Sequence, residues 1–262
     1  MNPAPTGLYT PEFYKLVNSA SAKAEGQAYF FGELDRVVAP LLELLGDETL
    51  LVPEVYGEKR PRLRGWNRLT SASLDDYYFK MLEESVLAGG NLGVLLGEPS
   101  GNLCTVDLDR EEAITPFLGK NPRLRETLSS TGSGVGAQFW LRIRGYYIPK
   151  VLKISVTERL AAKYGGVPRN PDTGTYDVGE WRGGQKSTIW GRHESGRDYE
   201  ILTRAKPVEV TMEEISLPSG WSLRPIRPSE FGPERVLTED ERINAADRRR
   251  AGRKWRGGGG SH

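Results

Sequence analysis

The stretch NLGVLLGEPSGNLCTVDLDREE, residues 91–112, holds two short apolar runs separated by a turn signal. Leu92–Leu96 and Leu103–Leu108 are rich in β-forming residues, and the intervening GEPSGN is typical of a turn. The stretch therefore predicts two strands, at the point where the periodicity of the chain changes from helical to strand-like.

Apolar residues recur at helical spacing before this stretch, and strand patterns dominate after it. The predicted helices cover residues 11–26, 30–46, 73–87, 110–118 and 122–128. The predicted strands cover 137–143, the first part of 151–164 (with a helix after it), 176–181 and 186–190. The last two are joined by GG and are expected to form a hairpin. This order favours an α+β fold in which helices cover one side of a mostly antiparallel sheet.

Composition restricts the kind of metal site that the chain can build. The chain has 262 residues, a formal net charge of +1, one cysteine and two histidines. Cys104 alone excludes an internal disulfide and a cysteine-rich zinc site, and two histidines exclude a histidine-rich site. A catalytic metal would be held by carboxylates, which favours Mg²⁺ or Mn²⁺. The apolar runs are too short to span a membrane, and the first ten residues do not resemble a signal peptide.

Two carboxylates stand at the end of the second predicted strand. Strand alternation puts Thr105, Asp107 and Asp109 on one face and leaves the apolar residues between them to the core. Like charges this close repel each other unless a divalent cation neutralises them. Asp-x-Asp therefore predicts a cation site here, although the same pattern also occurs on ordinary charged surfaces.

Further candidates follow along the chain. STGSGVG, residues 130–136, is a loop whose backbone N–H groups could approach phosphates, or simply a turn. The strand after it puts Gln138 on the face opposite the apolar residues. Glu180 precedes Arg182 and Lys186, which suggests either a third metal ligand beside triphosphate-binding cations or a surface ion pair.

Two segments are strongly basic, although the net charge of the whole chain is only +1. One contains Lys59, Arg60, Arg62 and Arg64, and residues 248–256 contain six Lys or Arg in nine. Such patches attract phosphate backbones, but they also occur as solvated surface. Trp66, beside the first segment, is either a base-stacking platform or a core residue.

Taken in order, these motifs resemble the primase-polymerase family of the archaeo-eukaryotic primase superfamily. The resemblance covers about residues 50–202 and keeps the order and approximate spacing of the family's motifs. It rests on GEKRPRLRGW with Lys59, Pro61 and Trp66, NLGVLLG with Asn91, Gly93 and Gly97, TVDLD with Asp107 and Asp109, STGSGVGAQFW, GEWRGG, and IWGRHESGRDYE.

The resemblance implies a primase-like catalytic core with an RRM-like half and a role for each motif residue. Asp107, Asp109 and Glu180 would be the catalytic and metal-binding triad for two Mg²⁺ or Mn²⁺ ions. The residues that would bind the nucleotide are Ser133, Gln138, Arg182, Lys186 and His193, with Tyr199 in support. Lys59, Arg60, Arg62, Arg64 and Trp66 would bind single-stranded DNA. The chain departs from the pattern at Gln138, where family members usually have histidine, and Glu180 replaces the commoner aspartate.

The resemblance also implies an organisation, partners and a location. Residues 1–90 would form a helical, template-side part, 91–206 the catalytic core, 207–256 an extension with a basic tail, and 257–262 (GGGGSH) a linker or tag remnant. The expected activity is synthesis or extension of primers on a single-stranded DNA template from dNTPs or NTPs. A helicase domain or protein is an expected partner, and the expected setting is cytoplasmic, in microbial, plasmid or phage replication.

Two alternatives remain at the level of sequence. The same fold could serve as a non-catalytic module that binds single strands or a replication origin, with Gln138 marking lost chemistry. The chain could also be another two-metal enzyme such as a nuclease, although nothing in the sequence supplies the additional base that many nucleases use.

Overall fold

The structure is a computed structural model that describes residues 27–226, with side chains from residue 34 onward. All of these residues belong to one compact unit. The described α-helices are α1 (Gln27–Leu45), α2 (Asp76–Leu87), α3 (Glu111–Lys120) and α4 (Glu158–Lys163). Short 3-10 helices cover Trp66–Arg68, Ser71–Ser73, Glu98–Ser100, Pro122–Glu126 and Met212–Glu214. No described helix is long and apolar enough to cross a lipid bilayer.

The same residues form the strands β1 (Leu51–Pro53), β2 (Leu92–Leu95), β3 (Leu103–Leu108), β4 (Ser129–Thr131), β5 (Ala137–Ile143), β6 (Val151–Val156), β7 (Tyr176–Arg182), β8 (Lys186–Trp190), β9 (Glu200–Thr203), β10 (Val208–Val210) and β11 (Trp221–Pro225).

These strands build two sheets. The larger has the order β11-β6-β7-β3-β5-β4-β9, and β10 pairs in parallel with the part of β5 beyond β4. The smaller has the order β1-β2-β8. Every pairing except β10–β5 is antiparallel. The expected α+β fold with a mostly antiparallel sheet is confirmed.

The central strand β3 separates two hydrophobic cores. Cys104, Val106 and Leu108 face one core with Phe117 of α3 and Ala161 of α4. This is the face that strand alternation predicts for the apolar residues of the strand. The carboxylate-bearing face of the large sheet is consequently the opposite one.

The second core covers only part of that opposite face. Trp140 of β5 and Leu103 of β3 pack there with the small sheet and helices α1 and α2. In α1 the buried residues Val38, Leu41 and Leu45 follow helical spacing, as the sequence predicted. The carboxylate end of β3 lies beyond this packing, where a cavity opens.

Most predicted elements match the structure. The helix over 30–46 corresponds to α1, the strand over 137–143 to β5, and residues 151–164 form a strand followed by a helix. The segment 122–128 forms a 3-10 helix rather than an α-helix. The predicted helix over 11–26 and the tail 248–256 lie outside the described residues, and so does 257–262.

The predicted hairpin between residues 176–181 and 186–190 is wrong. Strand β7 pairs with β3 and β6 in the large sheet, whereas β8 pairs with β2 in the small one. The backbone of Gly183 packs so closely that a Cβ there would lie 1.9 Å from the carbonyl oxygen of Ile148. Gln185 then adopts a positive φ of 64° and accepts a hydrogen bond from the Leu96 amide. The GG segment therefore carries the chain from one sheet to the other.

Candidate active site

A row of polar side chains crosses five neighbouring strands of the large sheet. Asp107 on β3 lies in register with Gln138 on β5 and with Glu180 on β7. Glu180 lies in register with Lys153 on β6, which in turn is opposite Arg224 on β11. Directly opposed residues in a sheet are close enough to interact, so the register assembles this row from five separate strands.

Asp107 lies near the centre of this row. Its Oδ2 accepts a 3.1 Å hydrogen bond from Gln138 Nε2, and Arg182 Nε lies 3.9 Å from the same oxygen. Burial raises the pKa of Asp107, and Glu180 adds to this, while Arg182 and Gln138 oppose it. Asp107 is therefore a carboxylate whose charge is only partly compensated by its neighbours.

Glu180 is held by two cations. Its Oε1 pairs with Lys153 Nζ, and its Oε2 lies 2.5 Å from Arg182 Nη2. Burial alone would raise the pKa of Glu180, but the charges of Arg182 and Lys153 overcome it and hold the pKa below its ordinary value. Glu180 is thus the charged, compensated member of the cluster.

Asp109 follows β3 and precedes α3. Its amide donates a 2.9 Å hydrogen bond to the Val178 carbonyl, which fixes the backbone beside β7. Burial, with the nearby charges of Asp107 and Glu180, raises the pKa of Asp109 to about 6. The end of β3 consequently concentrates negative charge that the protein balances only in part.

The glycine-rich loop after β4 packs against this carboxylate end. A Cβ at Gly136 would lie 2.0 Å from the Leu108 carbonyl oxygen, so only glycine allows the close approach. The loop is closed by a 3.1 Å hydrogen bond from the Gly134 amide to Thr131 Oγ1. Ser133 in turn accepts a 3.3 Å bond from the Val135 amide. Close packing and these hydrogen bonds therefore hold the loop in place beside Asp109.

His193 and Tyr199 form the other side. Their rings make an edge-to-face contact with centroids 5.6 Å apart. Burial and the charge of Lys59 lower the pKa of His193, while burial raises that of Tyr199. A Cβ at Gly132 would lie within 3 Å of both rings, so the loop and this pair are in close contact.

A cavity of about 360 Å³ opens between these walls. Seven of the residues singled out from the sequence line it: Lys59, Asp107, Asp109, Ser133, Gln138, His193 and Tyr199. The lining combines carboxylates, a cation, a glycine-rich loop and aromatic rings. Such a surface suits a ligand with both phosphate and apolar parts.

Glu180, Arg182 and Lys186 do not line the cavity, and Lys186 is instead held by a buried carboxylate. Its Nζ lies 2.5 Å from Glu54 Oε1, and Glu54 is fully buried. Thr188 donates a 2.8 Å hydrogen bond to the other oxygen of Glu54. Burial raises the pKa of Glu54 and lowers that of Lys186, because both lose hydration. Lys186 therefore balances the charge of a buried carboxylate.

The predicted DNA-binding residues are divided between the cavity and the outer surface. Lys59 lines the cavity and pairs with Glu194 at 3.5 Å. Arg60 pairs with Glu58 at 2.9 Å, and Arg62 with Glu84 at 3.7 Å.

The aromatic and remaining basic residues of this segment differ in exposure. Arg64 is exposed, whereas Trp66 is half-buried against the core. Tyr56, which the sequence did not single out, is 56% exposed and is the more accessible aromatic of this segment.

Mg²⁺ and Mn²⁺ prefer oxygen ligands, and the carboxylates of this cluster supply them. In residues 34–226 no group of three or more His, Cys, Asp or Glu side chains is arranged to hold a metal ion. Asp107 and Asp109 nevertheless offer the hard oxygen ligands that these ions prefer. Gln138 Oε1 beside them is buried without a hydrogen-bond partner in the described part of the chain. Asp107 and Asp109 thus carry oxygen atoms of the kind that a divalent ion would need, whereas both oxygens of Glu180 already face cations.

Lys153 is the residue of this cluster that the sequence failed to indicate. It lies in a segment with no recognisable motif, and only the pairing of β6 with β7 brings it to Glu180. No local pattern could have revealed it, because register between distant strands is set by the whole sheet.

No protein-family model and no curated protein matches this chain. The site is therefore defined by the side chains themselves: two carboxylates whose charge is only partly compensated, a glycine-rich loop and an aromatic pair around one cavity.

Proposed function

We propose that this chain is a DNA primase or DNA-directed polymerase of the primase-polymerase type. The observation that carries the proposal is the meeting of Asp107, Asp109, the glycine-rich loop and His193 around one cavity. These groups come from segments far apart in the sequence, and chance surface charge would not bring them together. The finer description of the fold, a primase-like core with an RRM-like half, belongs to the same proposal.

Each group has a definite role in such a reaction. Asp107 and Asp109 would hold Mg²⁺ or Mn²⁺, which when bound neutralises charge on the reacting phosphates. The amides of the loop around Ser133 would bind phosphate oxygens, and Gln138 would orient Asp107 through the hydrogen bond it donates. His193 would contact the nucleotide beside Tyr199. Phosphoryl transfer depends mainly on positioning and charge, so no nucleophilic side chain is needed.

Template binding would fall to the basic segment beside the cavity. Lys59 reaches the cavity itself, and the side chains of Arg60 and Arg64, close to it in the sequence, are exposed. A single strand is held by phosphate contacts and by stacking of its bases on aromatic rings. The partners proposed are therefore a single-stranded DNA template, dNTPs or NTPs, and a replicative helicase.

The decisive experiment is primer extension and de novo synthesis on single-stranded DNA with Mg²⁺ and then Mn²⁺. We expect extension products that depend on template, nucleotide and metal. Cleavage of the primer would instead indicate a nuclease. The absence of any product with either metal, from a folded protein, would contradict the proposal.

A second candidate is a catalytically weakened relative that binds single strands or a replication origin. It is favoured by one observation: Glu180 is already paired with Lys153 and Arg182, so three carboxylates are not free for metal. A mobility shift with single-stranded or origin DNA, without extension, would support it. The only partly compensated Asp107 and Asp109 argue against it, because a DNA-binding surface gains nothing from excess negative charge.

A further inference from the structure

We propose that Lys153 and Arg182 take the place of one divalent ion, so that the site binds a single ion rather than two. This inference rests on the proposed function and specifies how that site is charged. It also changes the role of Glu180, which becomes the partner of two fixed cations instead of a metal ligand.

The first step is geometric. Lys153 on β6 and Glu180 on β7 are directly opposed in the sheet, and their side chains form an ion pair. Their side chains are only 25% and 14% exposed, so water screens the pair weakly. Arg182 engages the other oxygen of Glu180. Both oxygens of the carboxylate thus face a cation supplied by the protein.

The second step is the balance of charge. Asp107, Asp109 and Glu180 carry three negative charges when ionised, and Lys153 and Arg182 return two positive ones. One divalent ion would bring the cluster to about +1, the same total that three carboxylates reach with two divalent ions. Lys59 and Glu194, which line the cavity, pair with each other at 3.5 Å and add no net charge.

The third step concerns the place of Lys153. Its neighbour on the far side is Arg224, which faces Asp177 and forms an ion pair with it. A move toward Arg224 would bring two like charges together, so Lys153 has no better carboxylate on that side. The ammonium group is therefore a fixed component of the site.

The proposal predicts how many ions the full chain binds. Mn²⁺ binding is measured by electron paramagnetic resonance of the free ion and by calorimetry, without nucleotide. We expect one ion per wild-type chain. In Lys153→Met the loss of a positive charge should allow a second ion to bind, whereas Lys153→Arg keeps the charge and should still bind one. Lys163→Met, exposed at the end of α4, is the matched control and should also bind one.

The outcomes separate this inference from the proposed function. Two ions on the wild-type chain would overturn the inference and leave the proposed function standing. One ion on both wild type and folded Lys153→Met would also overturn it, because Lys153 would then not set the count. No ion on the wild type would overturn the metal-dependent function and this inference with it. If Lys153→Met fails to fold, the wild-type count together with Lys153→Arg still decides.

Discussion

Two carboxylate clusters on the same face of the large sheet differ in how completely the protein satisfies them. Asp177 accepts a 2.6 Å hydrogen bond from Ser155 and a 3.3 Å hydrogen bond from Asn170. It also forms an ion pair with Arg224. Burial would raise the pKa of Asp177, but these partners hold it below its ordinary value. At Asp109, burial and two nearby carboxylates raise the pKa to about 6.

The difference separates a structural cluster from a site that can bind a ligand. A carboxylate with several donors stabilises the fold and has no need of a ligand. A carboxylate among like charges costs stability, and that cost is recovered only when a cation arrives. The same residue type thus indicates function at one end of the face and packing at the other.

The largest expected effect is on catalysis. Asp107→Ala or Asp109→Ala should abolish nucleotide incorporation and leave the fold intact, because either change removes half of the partly compensated carboxylate pair. Primer extension measures the activity, and circular dichroism checks the fold. Asp47→Ala, at an exposed aspartate after α1, is the control and should remain active. Near wild-type synthesis by a folded Asp107→Ala/Asp109→Ala double variant would show that this pair is not the catalytic centre.

The next effect is on stability and has opposite signs in the two clusters. A pKa raised from 3.8 to about 6 means that ionised Asp109 destabilises the metal-free fold at neutral pH. Asp109→Asn should therefore increase the free energy of unfolding at pH 7.5, by less than the roughly 3 kcal/mol that this pKa shift alone implies, because Asp109 is exposed and water screens its charge. Asp177→Asn should decrease it by about 1.5–3 kcal/mol, since it removes a charged hydrogen-bond acceptor. Urea denaturation measures both, and equal signs would erase the contrast between the clusters.

A third effect follows from pH. The folded-state pKa of Asp177 is lowered, so its stabilising contribution is present above the unfolded-state pKa and is lost as pH falls through the folded value. The wild type should accordingly lose more stability than Asp177→Asn when the pH is lowered from 5 toward 3. Unfolding midpoints across that range measure the difference. Parallel curves would mean that the ion pair between Asp177 and Arg224 does not stabilise the fold.

The contrast also marks how much the sequence could reveal. The face of the sheet on which Asp107, Asp109 and Gln138 lie could be predicted from the sequence, because alternation within one strand decides it. The ion-pair partners of Lys153 and Lys186 could not be predicted, because both depend on pairing between distant strands. The pattern around GG looked like a hairpin, yet the close packing of Gly183 against Ile148 redirected the chain into another sheet. Local periodicity can be recognised in the sequence, whereas strand register and sheet membership are determined by the whole fold.

A fourth effect concerns the basic segment at the cavity. Lys59 lines the cavity, whereas Arg60 and Arg62 are paired with nearby glutamates. Lys59→Ala should therefore weaken single-stranded DNA binding evenly across sequences and flatten the log–log salt dependence by about 0.7, the value for one phosphate contact. Arg60→Ala should have a smaller effect. Fluorescence anisotropy at several salt concentrations measures the slopes, and an unchanged slope for Lys59→Ala would assign this lysine to its pair with Glu194.

The smallest expected effect tests Gln138, which connects the carboxylate end of β3 to β5. Its Nε2 donates a 3.1 Å hydrogen bond to the Asp107 carboxyl group, which holds that group in place beside β5. Gln138→Ala should raise the apparent KM for nucleotide several-fold, because Asp107 loses a donor that orients it. Gln138→His retains a donor and should keep or improve the KM, which steady-state primer extension measures. Gln138→Asn keeps the amide but shortens the side chain, so it separates the need for a donor from the need for its reach. Identical KM values in all four proteins would place Gln138 outside the nucleotide site, and the hydrogen bond to Asp107 would then serve only to stabilise the sheet.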